Sequence, residues 1–135
     1  MNKVAIALVG ALLGAAGVQA EPVTAPSPPP SAPIVFFDVA GPDAAKLKQF
    51  YAANFGWAID GSNRIATPKL EGTLRQDLPE TLIYLGVANI NATLKTITGS
   101  GGSIVLPRTV VPGVVTFALF KDPAGNRMGL VEIHP

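Results

Sequence analysis

The stretch FALFKDPAGNRMGLVE, residues 117–132, decides how this chain is built. Val114 to Phe120 (VVTFALF) is rich in β-branched and aromatic residues and reads as a strand; Met128 to Ile133 (MGLVEI) reads as a second one returning beside it. Between them lies Asp122-Pro123-Ala124-Gly125-Asn126. Proline presets φ, while glycine and asparagine tolerate positive φ, so this segment is a tight turn.

Upstream of this hairpin, Ser103 to Leu106 is a further strand, entered from the glycine-rich turn Gly99-Ser100-Gly101-Gly102. That turn ends a helix capped by Asn89 or Asn91, with Ile90, Leu94 and Ile97 along one face. Thr81 to Val87 (TLIYLGV) is the strand before it. The same order stands upstream. Ile34 to Val39 (IVFFDV) is a strand, Asp43 caps a helix reaching about Asn54 with Leu47, Phe50 and Tyr51 on its apolar face, and Gly56 ends it. Strands at Trp57 to Ile59, Arg64 to Pro68 and Gly72 to Gln76 follow, the first two joined by a turn at Asp60 to Asn63. A constant offset of 46 relates Phe36 to Leu82, Asp43 to Asn89, Tyr51 to Ile97, Gly56 to Gly102 and Ile59 to Val105, which marks a duplicated unit. The expected fold is α+β, with two tandem βαβββ modules (about 34–79 and 80–135) in one domain spanning 34–135.

The rest of the chain is of another kind. Lys3 is followed by an uncharged small-apolar run, Val4 to Val18, and Val18-Gln19-Ala20 offers small residues at a cleavage site. This is the order of a secretory signal peptide, so residues 1–20 are expected to be removed on export to the periplasm or medium. Residues 21–33 (EPVTAPSPPPSAP) have no hydrophobic periodicity and are expected to form an extended linker. Loss of Lys3 leaves 9 of the 10 basic residues against 9 acidic ones. Charge that balanced and that scattered excludes nucleic acid and, after cleavage, the membrane surface as expected partners. With no cysteine in the chain, disulfide staples, a thiol nucleophile and a lipid anchor on cysteine are all excluded.

Three segments, FFDVAGPDAAKLKQFYAANFGW (36–57), YLGVANINATLKTITGSGGSIVLPR (84–108) and FALFKDPAGNRMGLVE (117–132), resemble the vicinal oxygen chelate superfamily, the glyoxalase/bleomycin resistance/dioxygenase-like domains. The resemblance implies two half-barrel modules enclosing a shared cleft. It also implies, for metal-dependent relatives, one ligand on the first strand and one on the last strand of each module. At the first-strand positions this chain has Phe36 and Leu82, neither of which can donate a lone pair to a metal. Glu132 on the last strand matches the carboxylate of such a site and is the one weak metal candidate. Its counterpart in the first module falls in a stretch, around Glu71 to Gln76, that reads as shortened. His134 is the only histidine, near the chain end, with Glu71 or Asp38 as conceivable third ligands.

The expectation is therefore a cleft lined by Phe36, Asp38, Leu82, Tyr84 and Glu132, with Arg75 or Arg108 as further polar handles, no cofactor and no metal. Asp38 by itself reads as a hydrogen-bonded residue on a strand at the sheet edge, facing solvent or a neighbour. No Ser/His/Asp constellation or phosphate loop is present in the sequence. The leading function is capture of a small, partly apolar molecule without metal catalysis. The alternatives are a lyase, isomerase or dioxygenase with a displaced metal at Glu132, and a structural or interaction domain that pairs through its exposed sheet edges, a homodimer being the form such pairing would take.

Overall fold

The structure, a computed structural model, describes residues 29–134. The expected leader, residues 1–20, and most of the expected linker, 21–33, lie outside the described residues. Ten elements follow in order: β1 (Ile34–Gly41), α1 (Ala44–Phe55), β2 (Ala58–Ile59), β3 (Arg64–Ala66), β4 (Glu71–Gln76), β5 (Glu80–Val87), α2 (Ile90–Gly99), β6 (Ser103–Val111), β7 (Val115–Lys121) and β8 (Arg127–Glu132). The strands form one eight-stranded sheet in the order β2-β3-β4-β1-β5-β8-β7-β6. This is the expected α+β fold with two βαβββ modules.

The repeat extends to hydrogen bonds. In each module the first strand pairs in parallel with the last, β1 with β4 and β5 with β8, and the other two strands follow antiparallel. Asp43 accepts from Lys46 N–H at 3.1 Å and Asn89 from Ala92 N–H at 2.9 Å, so both helices are capped by the same bond 46 residues apart. Asp77 N–H donates to Gly41 O, and Ile133 N–H to Val87 O, closing the two modules in the same way. The helix ends differ. Gly56 is the left-handed cap of α1 at φ 64°, whereas in the second module the left-handed residue is Gly101, at φ 99°. Gly102 instead sits where a Cβ would come within 2.8 Å of Lys121 O, so its glycine serves a close approach and not the cap.

Two apolar clusters stand on the helix side of the sheet. Val39, Ile65 and Leu74 pack with Phe37, Leu47, Tyr51 and Trp57 beneath α1. Ile90, Leu94, Ala118, Phe120 and Leu130 pack with Leu85 and Val87 beneath α2. Alternation along β1 and β5 therefore turns Phe36, Asp38, Glu80, Leu82 and Tyr84 to the opposite, cleft face.

Two strand expectations need correction. The strand beginning at Ser103 does not stop at Leu106 but runs to Val111 as an edge strand. Pro107 has no N–H to give a ladder, and the register shifts on either side of Leu106 absorb it. Nor is the first module shortened at Glu71 to Gln76, because β4 and β8 both have six residues. The missing length lies before it, where β2 and β3 have two and three residues against nine and seven in β6 and β7. The offset between modules grows accordingly, from 46 at β1/β5 to 56 at β4/β8, where Asp38 opposite Thr73 corresponds to Tyr84 opposite Gly129.

Separate clusters are expected to respond independently. Ile65→Val and Ile90→Val should each cost about 0.5–1.5 kcal/mol in urea unfolding, the loss of one buried methyl group. The double variant should show the sum within about 0.5 kcal/mol; a larger coupling would mean that the two clusters form one packing unit.

Candidate functional site

The modules meet where β1 and β5 pair antiparallel, with Phe37 opposite Ile83. These two residues are themselves 46 apart, so the pseudo-two-fold axis passes between them. Asp38 and Tyr84, also 46 apart, are brought face to face across it. The Tyr84 hydroxyl donates to Asp38 Oδ2 at 2.8 Å. Arg75 Nη2 donates to Oδ1 at 3.3 Å, and Arg75 Nε lies 3.1 Å from Oδ2, at ion-pair distance but off the hydrogen-bond axis. Asp38 is 1% exposed, the one buried charged residue among the described residues, and β1 is a central strand. The expectation of an edge residue is thus overturned. A buried carboxylate persists when it is paired and hydrogen-bonded, and this one has both kinds of partner.

The network continues away from the axis toward β4. Arg75 also bonds Glu80 at 3.2 Å and Asp77 at 3.1 Å, and Glu80 in turn pairs with Arg127. Burial opposes the charge on Arg75, but the carboxylates of Asp38 and Glu80 outweigh it and raise its pKa. Burial, together with the adjacent Asp38 carboxylate, also pushes the Tyr84 hydroxyl well above its ordinary pKa, so it stays a donor throughout the neutral range.

On the other side of the axis the cleft is apolar and open. A cavity of about 370 Å³ is lined by Val35 and Phe36 from β1, Tyr84 from β5, Val115 and Phe117 from β7, Val131 from β8, and Ile133 and Val114 beyond strand ends, with Arg64 and Glu71 at its rim. Phe36 meets Tyr84 edge to face, ring centroids 5.6 Å apart. The register shift between Ile34 and Phe36 lets the neighbouring residues Val35 and Phe36 both reach it. The two ends are counterparts under the 56-residue offset: Arg75 corresponds to Val131 and Asp77 to Ile133. One end carries the ion network and its mate carries the cavity.

Of the five residues singled out from sequence, Phe36 and Tyr84 line the cavity and Asp38 anchors Tyr84 from behind. Leu82 has cleft parity but is sealed at 1% exposure. Glu132 is not in the cleft. It shares the parity of Leu130 and points toward α2, where its Oε2 accepts from Ile90 N–H at 3.0 Å and its carboxylate is gripped by Arg108 Nε and Nη2 at 3.1 and 2.7 Å. A carboxylate at a helix N-terminus satisfies an otherwise unpartnered amide, which is the physical reason for its turn away from the cleft. Arg108 goes with it, so of the two further handles only Arg75 faces the cleft. Register also identifies the first-module counterpart of Glu132: it is Gln76, opposite Gly41 as Glu132 is opposite Val87.

The β8 residue facing the cleft beside Tyr84 is Gly129, where a Cβ would fall 2.1 Å from the tyrosine ring. With carbon side chains at 36 and 82, a ring packed on Gly129, Asp38 bound to Arg75 and Glu71 bound to Arg64, the cleft does not offer the donor set that a chelated divalent ion requires. Among the described residues no three His, Asp or Glu side chains converge as a metal cluster. The residues missed from sequence, among them Val35, Arg64, Val115, Phe117, Val131 and Ile133, reach the cavity through the bulge and through the ten-residue change of offset, and neither leaves a local signal.

The comparisons agree with this architecture. No family profile matches the chain, and no curated protein sequence does. Solved structures do. A hypothetical protein from Bacillus halodurans aligns with TM-score 0.59 at 12% identity, covering 78% of this chain and 97% of its own. A glyoxalase/bleomycin resistance protein/dioxygenase superfamily member from Vibrio splendidus aligns with TM-score 0.57 at 14% identity, covering 76% and 98%. Methylmalonyl-CoA epimerase from Mycobacterium tuberculosis aligns with TM-score 0.56 at 14% identity, covering 76% and 88%. The chain has the vicinal oxygen chelate fold.

Two outcomes are expected at these polar groups. Tyr84→Phe, which leaves Asp38 one donor short, should cost about 1–3 kcal/mol in urea unfolding at pH 7; no measurable loss would show that the bond carries no stability. Glu132 is held down to about 2 from its ordinary 4.5 by Arg108 and by the Ile90 amide. A depressed carboxylate contributes stability that is full above its unfolded pKa and lost as pH falls through the folded one. The wild type should therefore lose stability more steeply than Glu132→Gln between about pH 4.5 and pH 2, as read by urea unfolding at successive pH values.

Proposed function

We propose that this protein is an exported binding protein that captures a small, partly apolar molecule in the cavity beside Phe36 and Tyr84 and performs no metal chemistry on it. The supporting observation is the cavity itself. Its volume of about 370 Å³ lies near the lower end of the ~300–1,000 Å³ range of small-molecule sites, and its walls are apolar with a few polar groups at one rim. A fold does not prescribe a function, so the reading rests on the side chains present. The first-strand positions at which the family resemblance places metal ligands hold carbon here, in Phe36 and Leu82, and Glu132 is committed to α2. Export follows from the leader-like residues 1–20, and the balanced charge gives nucleic acid and membrane no part in the reading.

Binding is expected to show as thermal stabilisation. A ligand at a hundred times its Kd adds about 2.7 kcal/mol to the folded state, enough to raise the Tm of a domain this size by upwards of roughly 10 °C. A screen of metabolites and antibiotics against the purified protein should find such compounds, and Val115→Trp, which fills the cavity, should abolish their effect without lowering the variant's own Tm by more than a few degrees. Absence of any stabiliser, or stabilisers indifferent to Val115→Trp, would remove the cavity from consideration.

A further inference from the structure

The cavity has two charged residues in its lining, Arg64 and Glu71, and they are bound to each other. Arg64 lies opposite Thr73 and Glu71 opposite Ala66, a diagonal pair on the antiparallel β3–β4 ladder with both side chains on the cleft face. Arg64 uses Nη2 alone in this contact, and Glu71 uses Oε1 alone. The remaining guanidinium donors and the second carboxylate oxygen have no other partner among the described residues. Both side chains are more than half exposed, at 55% and 65%.

We propose that the ligand is a free α-amino acid with a large apolar side chain, bound as its zwitterion; this rests on the cavity being the binding site. The side chain enters the apolar well between Phe36, Tyr84, Val131 and Ile133, the α-carboxylate takes the free edge of Arg64, and the α-ammonium takes the free oxygen of Glu71. Contact between the two rim residues is what selects this class. A lone anion touching Arg64 also comes within a few ångströms of Glu71, and a lone cation touching Glu71 comes equally near Arg64. Each such head group is repelled almost as strongly as it is attracted. A zwitterion places opposite charges against both, and the four charges alternate. Specificity then arises from the repulsion of singly charged analogues as much as from the attraction of the correct ligand.

Isothermal titration of the purified protein with L-phenylalanine, 3-phenylpropanoate and 2-phenylethylamine separates the terms, since the three share an apolar group and differ in the charges they carry. The expected result is that L-phenylalanine binds at least tenfold more tightly than either singly charged analogue. Arg64→Gln should weaken L-phenylalanine more than it weakens 2-phenylethylamine, and Glu71→Gln should weaken it more than 3-phenylpropanoate. Both substituted side chains are largely exposed, and an unchanged Tm confirms that the variants are folded. Equal or tighter binding of either analogue, or variants that bind L-phenylalanine like wild type, overturns the zwitterion. If L-phenylalanine and L-leucine both fail while neutral apolar compounds bind and are blocked by Val115→Trp, the zwitterion is wrong and the cavity reading stands. If no compound binds, both fall.

Discussion

One pair of strands holds the two modules together, β1 against β5, and the Tyr84–Asp38–Arg75 contacts lie at its centre. Every other strand pairing is internal to a module. The cleft exists because this junction is made in a single register. Were β1 to slip by one residue, Asp38 would turn into the apolar cluster under α1 and Phe37 into the cleft. An ionised carboxylate in that cluster would have neither arginine nor hydroxyl, and its desolvation would go uncompensated. The buried charge therefore acts against the wrong registers at least as much as it favours the right one. Tyr84 ties this constraint to the site, since one side chain both bonds Asp38 and forms a wall of the cavity.

Most of the fold was legible in the sequence because its signals are local. Asp43 and Asn89 announce their helices through a bond made within three residues, and Asp122-Pro-Ala-Gly-Asn126 makes its own turn through the Asp122 carboxylate. The offset of 46 then exposed the duplication without any knowledge of pairing. The site was less legible because it depends on which strand lies beside which, and at what step. Glu132 looked like a cleft residue until its register with Val87 placed it on the α2 side. Asp38 looked like an edge residue because nothing nearby reveals that β1 is central; its partners Arg75 and Tyr84 are 37 and 46 residues away. Leu82 was assigned the correct face, but parity does not report exposure, and Glu80 and Tyr84 flank it on that face.

The difference between the two cleft ends follows from a difference in length. In the second module the long β6–β7 hairpin brings Val114, Val115 and Phe117 to the cavity, so that end has a wall. In the first module the corresponding β2–β3 hairpin is too short to build the same wall, and Arg75 of β4 and Asp77 just beyond it are charged. Arg75 and Asp77 stand where the second module has Val131 and Ile133, and they are neutralised by Asp38, Glu80 and each other. The charges at that end are paired with one another. A chelate site asks the opposite of a duplication, namely like donors at like positions around the axis. Here the paired positions have diverged in kind, Asp38 with Tyr84 and Arg75 with Val131. Divergence of this sort leaves no set of like donors on the axis and an apolar cavity off it, walled mainly by the second module, with β1 and the Arg64–Glu71 pair of the first forming its near edge.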